Sequence, residues 1–237
     1  MPNQFSRAEL LFGAEAMEKL KNAHVAVFGV GGVGGHLAEA LIRGGVGKLT
    51  LVDNDTVALT NLNRQMAALH STLGMQKTEA AARRLRDINP DAEIICKNVF
   101  FLPETADSFD FAGYDYVADA IDTVAGKVEL VLRCKAVDTP ILCAMGAGNK
   151  LDPTAFRVAD ISKTTVCPLA RAMRTQLRKK GISHVKVVYS TEEAKKPAQT
   201  DEVTMKRQTP GSTSFVPSVM GIIMAGEILK DLAGIEQ

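Results

Sequence analysis

The run HVAVFGVGGVGGHLAEALIRGG, residues 24–45, limits what this chain can fold into more than any other stretch. A β-branched segment leads into Gly29, Gly31, Gly32 and Gly34 in the pattern G-V-G-G-V-G, and a helical pattern follows until Gly44 and Gly45 stop it. A strand, a glycine turn and a helix in direct succession gather backbone N–H groups and a helix N-terminus around one point, which suits a phosphate. The next strand pattern, KLTLVD, ends in Asp53, placed to accept hydrogen bonds from ribose hydroxyls. Together these features point to an adenine nucleotide. They do not choose among nucleotides, because a nicotinamide-dependent oxidoreductase begins the same way.

Strand and helix patterns continue to alternate. AEIICKNV, YDYVADAID and TPILCAMG read as further strands, with helices predicted over residues 76–88 and 124–137. In the first of these helices Ala81, Leu85 and Ile88 make a narrow apolar face, and Pro90 ends it. FRVADI and HVKVVYS are strand candidates, CPLARAMRTQLRKKG is a basic amphipathic helix, and residues 191–214 read as a mobile loop. Residues 215–232 read as a closing helix, apolar nearly all round, to be buried in the core or at a subunit interface. The expected class is α/β: a Rossmann-like, mostly parallel sheet with flanking helices and an irregular C-terminal extension. A single domain over residues 1–237 is expected, with a nucleotide-binding core at about 20–145 and a substrate-binding part at about 146–237.

Net charge is only +1, so no global field announces a polyanionic partner. The charge is uneven, however: residues 160–210 carry 11 Lys/Arg against 5 Asp/Glu. Such a run is commonly a solvated face, and here it also hints at nucleic-acid contact. Cys96, Cys134, Cys143 and Cys167 are scattered without a CxxC pair, which argues against zinc and disulfides and for a reducing, cytoplasmic setting. The longest uncharged stretch near the C-terminus is broken by Pro210, Gly211 and Pro217, so no membrane partner is expected.

The stretch VDNDTVALTNLNRQ, residues 52–65, separates the nucleotide classes. Asp53 is followed by a second acid, Asp55, and then by Asn61, Asn63, Arg64 and Gln65. Asn61 and Asn63 read as caps at the start of a helix, which puts Arg64 in its first turn, where the helix dipole disfavours a cation. Lys77 repeats the misplacement at the next helix start. One such cation is an ordinary surface charge; two beside a nucleotide loop suit a triphosphate better than a dinucleotide. Asp122, at the carboxyl end of the fourth strand, is placed as a helix N-cap, as a carboxylate holding Mg²⁺ against phosphates, or as both. No G-x-x-x-x-G-K-[ST] occurs, so cleavage at the α-phosphate is the more attractive chemistry.

G-V-G-G-V-G, VDNDTVALTNLNRQ, the GMQK lysine and AID together resemble the ThiF/MoeB superfamily of adenylating enzymes, relatives of ubiquitin-activating enzymes. The resemblance spans roughly residues 5–145 and implies that a carboxylate attacks the α-phosphate of ATP, giving an acyl-adenylate and pyrophosphate. It further implies ribose binding by Asp53, phosphate contacts from Asn61, Arg64 and Gln65, neutralisation by Lys77 and Mg²⁺ at Asp122. Arg7, in FSR, is similar to the arginine that family members reach across a homodimer to the partner's ATP.

The two zinc-binding CxxC pairs of the sulfur-carrier branch are missing. GAGNKLDPTAFRVADISKTTVCPLARAMRTQLRKKG and GSTSFVPSVMG instead resemble the branch that dehydrates threonylcarbamoyladenosine in tRNA. That resemblance implies a tRNA substrate whose own internal group closes a ring, with Arg171, Arg174, Arg178, Lys179 and Lys180 contacting its phosphates. It leaves open whether a cysteine desulfurase or another sulfur-relay protein assists. The alternative is activation of a ubiquitin-like or sulfur-carrier protein, with Cys167, before a proline at a helix start, as thioester nucleophile. A free cysteine is more commonly a small buried apolar residue.

Overall fold

The computed structural model describes residues 2–198 and 210–235. Its centre is a seven-stranded sheet in the order β3-β2-β1-β4-β5-β7-β6. The strands are β1 (His24–Phe28), β2 (Lys48–Val52), β3 (Glu93–Lys97), β4 (Tyr116–Asp119), β5 (Ile141–Ala144), β6 (Phe156–Asp160) and β7 (Lys186–Ser190). All neighbours are parallel except β6, which pairs antiparallel with β7 at the sheet edge. The α/β expectation holds, and the second half is more regular than its sequence pattern implied. Two of its segments extend the same sheet.

The two-residue period of a strand sorts β1 onto two cores. Val25 and Val27 face the helices α2 (Ala14–Asn22), α3 (Gly34–Arg43), α4 (Lys77–Ile88) and α7 (Val216–Ala233). Ala26 and Phe28 face α5 (Val124–Ala136) and α6 (Pro168–Lys179). On this second side Phe28 meets Phe101 at a centroid distance of 4.9 Å and Phe109 at 5.3 Å, which anchors the chain leaving β3.

The closing helix, α7, packs chiefly on α3 and buries Met220, Met224 and Ile228, while Ile222 stays 55% exposed. It is therefore mainly a core helix with one exposed apolar side chain. Residues 6–22, unassigned from sequence, form α1 (Ser6–Phe12) and α2. Of the loop expected over residues 191–214, residues 199–209 lie outside the described residues. Its described flanks are irregular yet tied down: Asn149 N donates to Gly211 O at 2.8 Å, and Asn63 Nδ2 to Ser212 O at 3.0 Å. No helix among the described residues is long and apolar enough to cross a membrane.

Candidate active site

The chain leaves β1 toward β2 on one side, and β4 joins β1 on the other. This switch point is where open α/β sheets bind ligands, beyond the carboxyl ends of their strands. A cleft of about 1160 Å³ opens there. Gly29, with φ +89°, makes the turn out of β1, and a Cβ on it would lie 2.7 Å from the Ala120 carbonyl oxygen. A Cβ on Gly34 would lie 1.7 Å from Gly29 O, so any side chain there would push α3 off the turn. Gly31 and Gly32 line the cleft.

Asp53 follows β2 and holds two loops together. Its Oδ2 accepts the Val30 N–H at 2.7 Å and its Oδ1 the Asp55 N–H at 2.9 Å. A carboxylate offers about four lone-pair sites, so ribose hydroxyls can still be accepted.

The segment after it departs from expectation. Asn61 and Asn63 do not cap an α-helix; residues Leu59–Asn61 form a single 3₁₀ turn followed by further turns. Asn61 is buried, and its Oδ1 accepts the Ala58 N–H at 3.1 Å. Arg64 therefore sits in no helix dipole, and no misplaced helix-end cation at this residue calls for a triphosphate. Its guanidinium Nη1 donates to Thr60 O and to Asn63 Oδ1, both at 2.9 Å, while Arg64 and Gln65 line the cleft.

Lys77 is the first residue of α4, as expected, but not as a lone cation. Its ammonium lies 2.7 Å from Asp55 Oδ2, with the lysine side chain 8% exposed and the aspartate 61% exposed. The backbone N–H of Lys77 also donates to Asp55 O at 3.0 Å. Asp55 thus has a role the sequence reading left open: it holds Lys77 at the cleft wall.

Asp122 is exposed and lines the same cleft, in the turn between β4 and α5. It does not occupy the N-cap position of α5; that is Thr123. The two elements flanking that turn contribute a pair that sequence reading missed. Lys127 on α5 and Asp119 at the end of β4 are both 0% exposed, with Nζ 2.9 Å from Oδ1. Two further lining residues escaped notice: Phe100, 48% exposed, and Lys150, buried, whose ammonium donates to the Glu192 backbone carbonyl.

Burial pushes the thiol pKa of Cys96 up to about 11 and that of Cys134 up to about 12, and burial with the nearby Asp119 charge raises Cys143 as well. Cys167 is the N-cap of α6 and lines the cleft, 3% exposed, without a side-chain capping bond. On α6 and its C-cap, Arg171, Arg178, Lys179 and Lys180 are exposed. Arg174 is not available in the same way: its Nη1 donates to the Thr164 carbonyl at 2.9 Å and to the Thr164 hydroxyl, clamping the loop before α6. Arg7 is exposed on α1 and does not line the cleft of its own chain.

The ThiF family model matches residues 5–237. The chain is 47% identical to tRNA threonylcarbamoyladenosine dehydratase of Bacillus subtilis, over 98% of this chain and 95% of that one. It is 34% identical to the Escherichia coli protein of the same name, over 97% and 93%. The crystal structure of E. coli tRNA N6-threonylcarbamoyladenosine dehydratase in complex with ATP superposes with a TM-score of 0.89 at 35% identity, covering 98% of this chain and 94% of that one. A glycine turn, an acid after β2 and a cationic wall at the sheet's switch point, joined to these end-to-end matches, place the chain in the ThiF family.

Proposed function

We propose that the chain adenylates the carboxylate of threonylcarbamoyladenosine in tRNA and lets the substrate close its own ring. The observation that carries this reading is the cleft itself, whose walls combine Gly31 and Gly32, Asp53, Arg64, Lys77 and Asp122. Relatives that match the whole chain carry the name of that dehydratase. A carboxylate oxygen of the substrate attacks the α-phosphorus, and the bond to pyrophosphate breaks. The substrate's internal group then attacks the acyl carbon, its proton is lost, and AMP departs with one carboxylate oxygen. Net water is removed, and no enzyme nucleophile is consumed.

In this reading the glycine-turn N–H groups hold phosphate, Asp53 holds ribose, and Asn61 and Gln65 shape the phosphate wall. Arg64 and Lys77 neutralise charge that grows on the leaving pyrophosphate. ATP approaching Lys77 releases Asp55 into solvent, where it is already largely hydrated. Among the described residues no group of three or more His, Cys, Asp or Glu is gathered as a metal cage. The Asp122 carboxylate in the cleft lining suits Mg²⁺, which is held by one or two carboxylates plus substrate phosphates. Asp122 would hold it, and the ion would offset phosphate charge. The core to about residue 145 handles ATP, and the remainder handles the tRNA, in the cytoplasm. A sulfur-relay partner has no support beyond the family resemblance.

Homodimerisation is part of the proposal. α1 buries none of its residues within the chain, and Leu10 and Leu11 are 85% and 86% exposed. A helix this short is marginal alone and needs a surface to lie on. Docking α1 on a second copy would cover both leucines and carry Arg7 to the partner's cleft. Mixing Arg7→Ala with Asp122→Ala subunits is expected to restore part of the activity, because each mixed dimer keeps one complete site. No recovery, with subunit exchange verified, would count against action in trans.

The tRNA is assigned to the exposed cations of α6. Binding is expected to weaken with salt, log K falling by roughly 0.7–0.9 per neutralised phosphate per decade of salt. Reversing Arg178, Lys179 and Lys180 should weaken tRNA binding and flatten that slope, with ATP binding unchanged; Arg174 changes should instead lower stability. An unaltered slope would remove α6 from the tRNA surface and favour a carrier-protein substrate.

A further inference from the structure

The turn that carries Asp122 is held by charges that never meet solvent. Lys127 Nζ donates to Asp119 Oδ1 at 2.9 Å and to the Ile121 carbonyl at 3.0 Å. The same Oδ1 accepts the Ile121 N–H at 3.3 Å. Two buried side chains therefore grip both backbone polar groups of the residue immediately before Asp122. The turn also abuts the glycine loop, since Ala120 O and Ile121 N lie 2.7 and 3.0 Å from where a Gly29 Cβ would stand.

Stability does not explain the pair. Taking two charges out of water is repaid only with favourable geometry and full hydrogen bonding, and a well-packed apolar pair commonly serves a fold as well or better. Here Asp119 Oδ2 meets no N–H or O–H donor among the described residues, and the weakly donating Cys143 thiol is the group beside Asp119. Lys127 also lies near the amino end of α5, where the helix dipole opposes a cation. What an apolar pair could not supply is the two-sided grip on Ile121.

We infer that Asp119 and Lys127 are positioning residues that hold the β4–α5 turn so that Asp122 faces the metal-bound phosphates of ATP. The inference rests on the assignment of Asp122 given above. It separates two aspartates three residues apart, one that meets the ligand and one that only aims it.

The test is the affinity of the intact protein for ATP, measured by calorimetry in Mg²⁺ and in EDTA, alongside the melting temperature. Asp119→Asn/Lys127→Met is neutral, similar in volume and keeps an acceptor for the Ile121 N–H, but lacks the tether to its carbonyl. It should fold cooperatively and lose at least about tenfold of the Mg²⁺-dependent gain in affinity. Adding Asp122→Asn should bring little further loss, because residues acting on one contact are non-additive. If the double variant fails to fold, Lys127→Arg keeps the charge and moves the donors, and the same loss is expected. Wild-type Mg²⁺ dependence in the folded variant, or losses that multiply with Asp122→Asn, would overturn the inference. Asp122→Asn alone tells the two levels apart: if it leaves Mg²⁺ dependence intact, the metal assignment itself falls; if it removes that dependence while the pair variant does not, only the positioning role falls.

Discussion

Asp122→Ala is expected to lower AMP formation on the order of 10²–10³-fold or more, the scale seen when one preorganised electrostatic contact to a transition state is removed. The fold should hardly notice. Asp122 is exposed, and Asp119 and Lys127 hold the backbone of its turn. Exposed substitutions of this kind fall within about 0.5 kcal/mol in stability. Steady-state AMP release at saturating Mg²⁺, with a thermal melt as control, checks both halves; near-normal turnover would end the metal assignment.

Lys77→Ala carries the second large effect. A charge-assisted hydrogen bond is worth about 1.5–3 kcal/mol, so ATP affinity or the adenylation rate should fall roughly 10- to 150-fold. The cost to the unliganded protein is smaller, because the aspartate left behind, Asp55, is 61% exposed and rehydrates easily. Asp55→Ala reverses the balance: it strands a nearly buried ammonium, lowers stability, and makes the protein depend on ATP for part of it. Equal ATP affinity and an equal adenylation rate in wild type and Lys77→Ala would make that ion pair purely structural.

Much of this could be read from residue order because it is local. The β-branched runs, the glycine turn and Asp53 announce themselves through periods and neighbours, and the structure puts them where those periods imply. What failed depended on distant partners. Asp55 and Lys77 are 22 positions apart, and nothing in either segment says they meet. Nothing in the helix pattern around Lys127 says that its ammonium is buried against Asp119. Asn61 and Asn63 carry the chemistry of helix caps, yet Asn61 closes a single 3₁₀ turn and only turns follow it. Arg174 shares the basic stripe of α6 but points its guanidinium at the loop before the helix. The antiparallel placing of β6 was equally silent, since a strand's sequence does not name its neighbour.

The central claim, direct ring closure on a tRNA-borne carboxylate, is tested by incubating the protein with ATP and either unmodified or threonylcarbamoylated tRNA. AMP should appear only with the modified tRNA, whose nucleoside should lose one water in mass, and Cys167→Ser should do the same at a comparable rate. AMP released only with a carrier-protein C-terminus, or a folded Cys167→Ser protein inactive on modified tRNA, would contradict it.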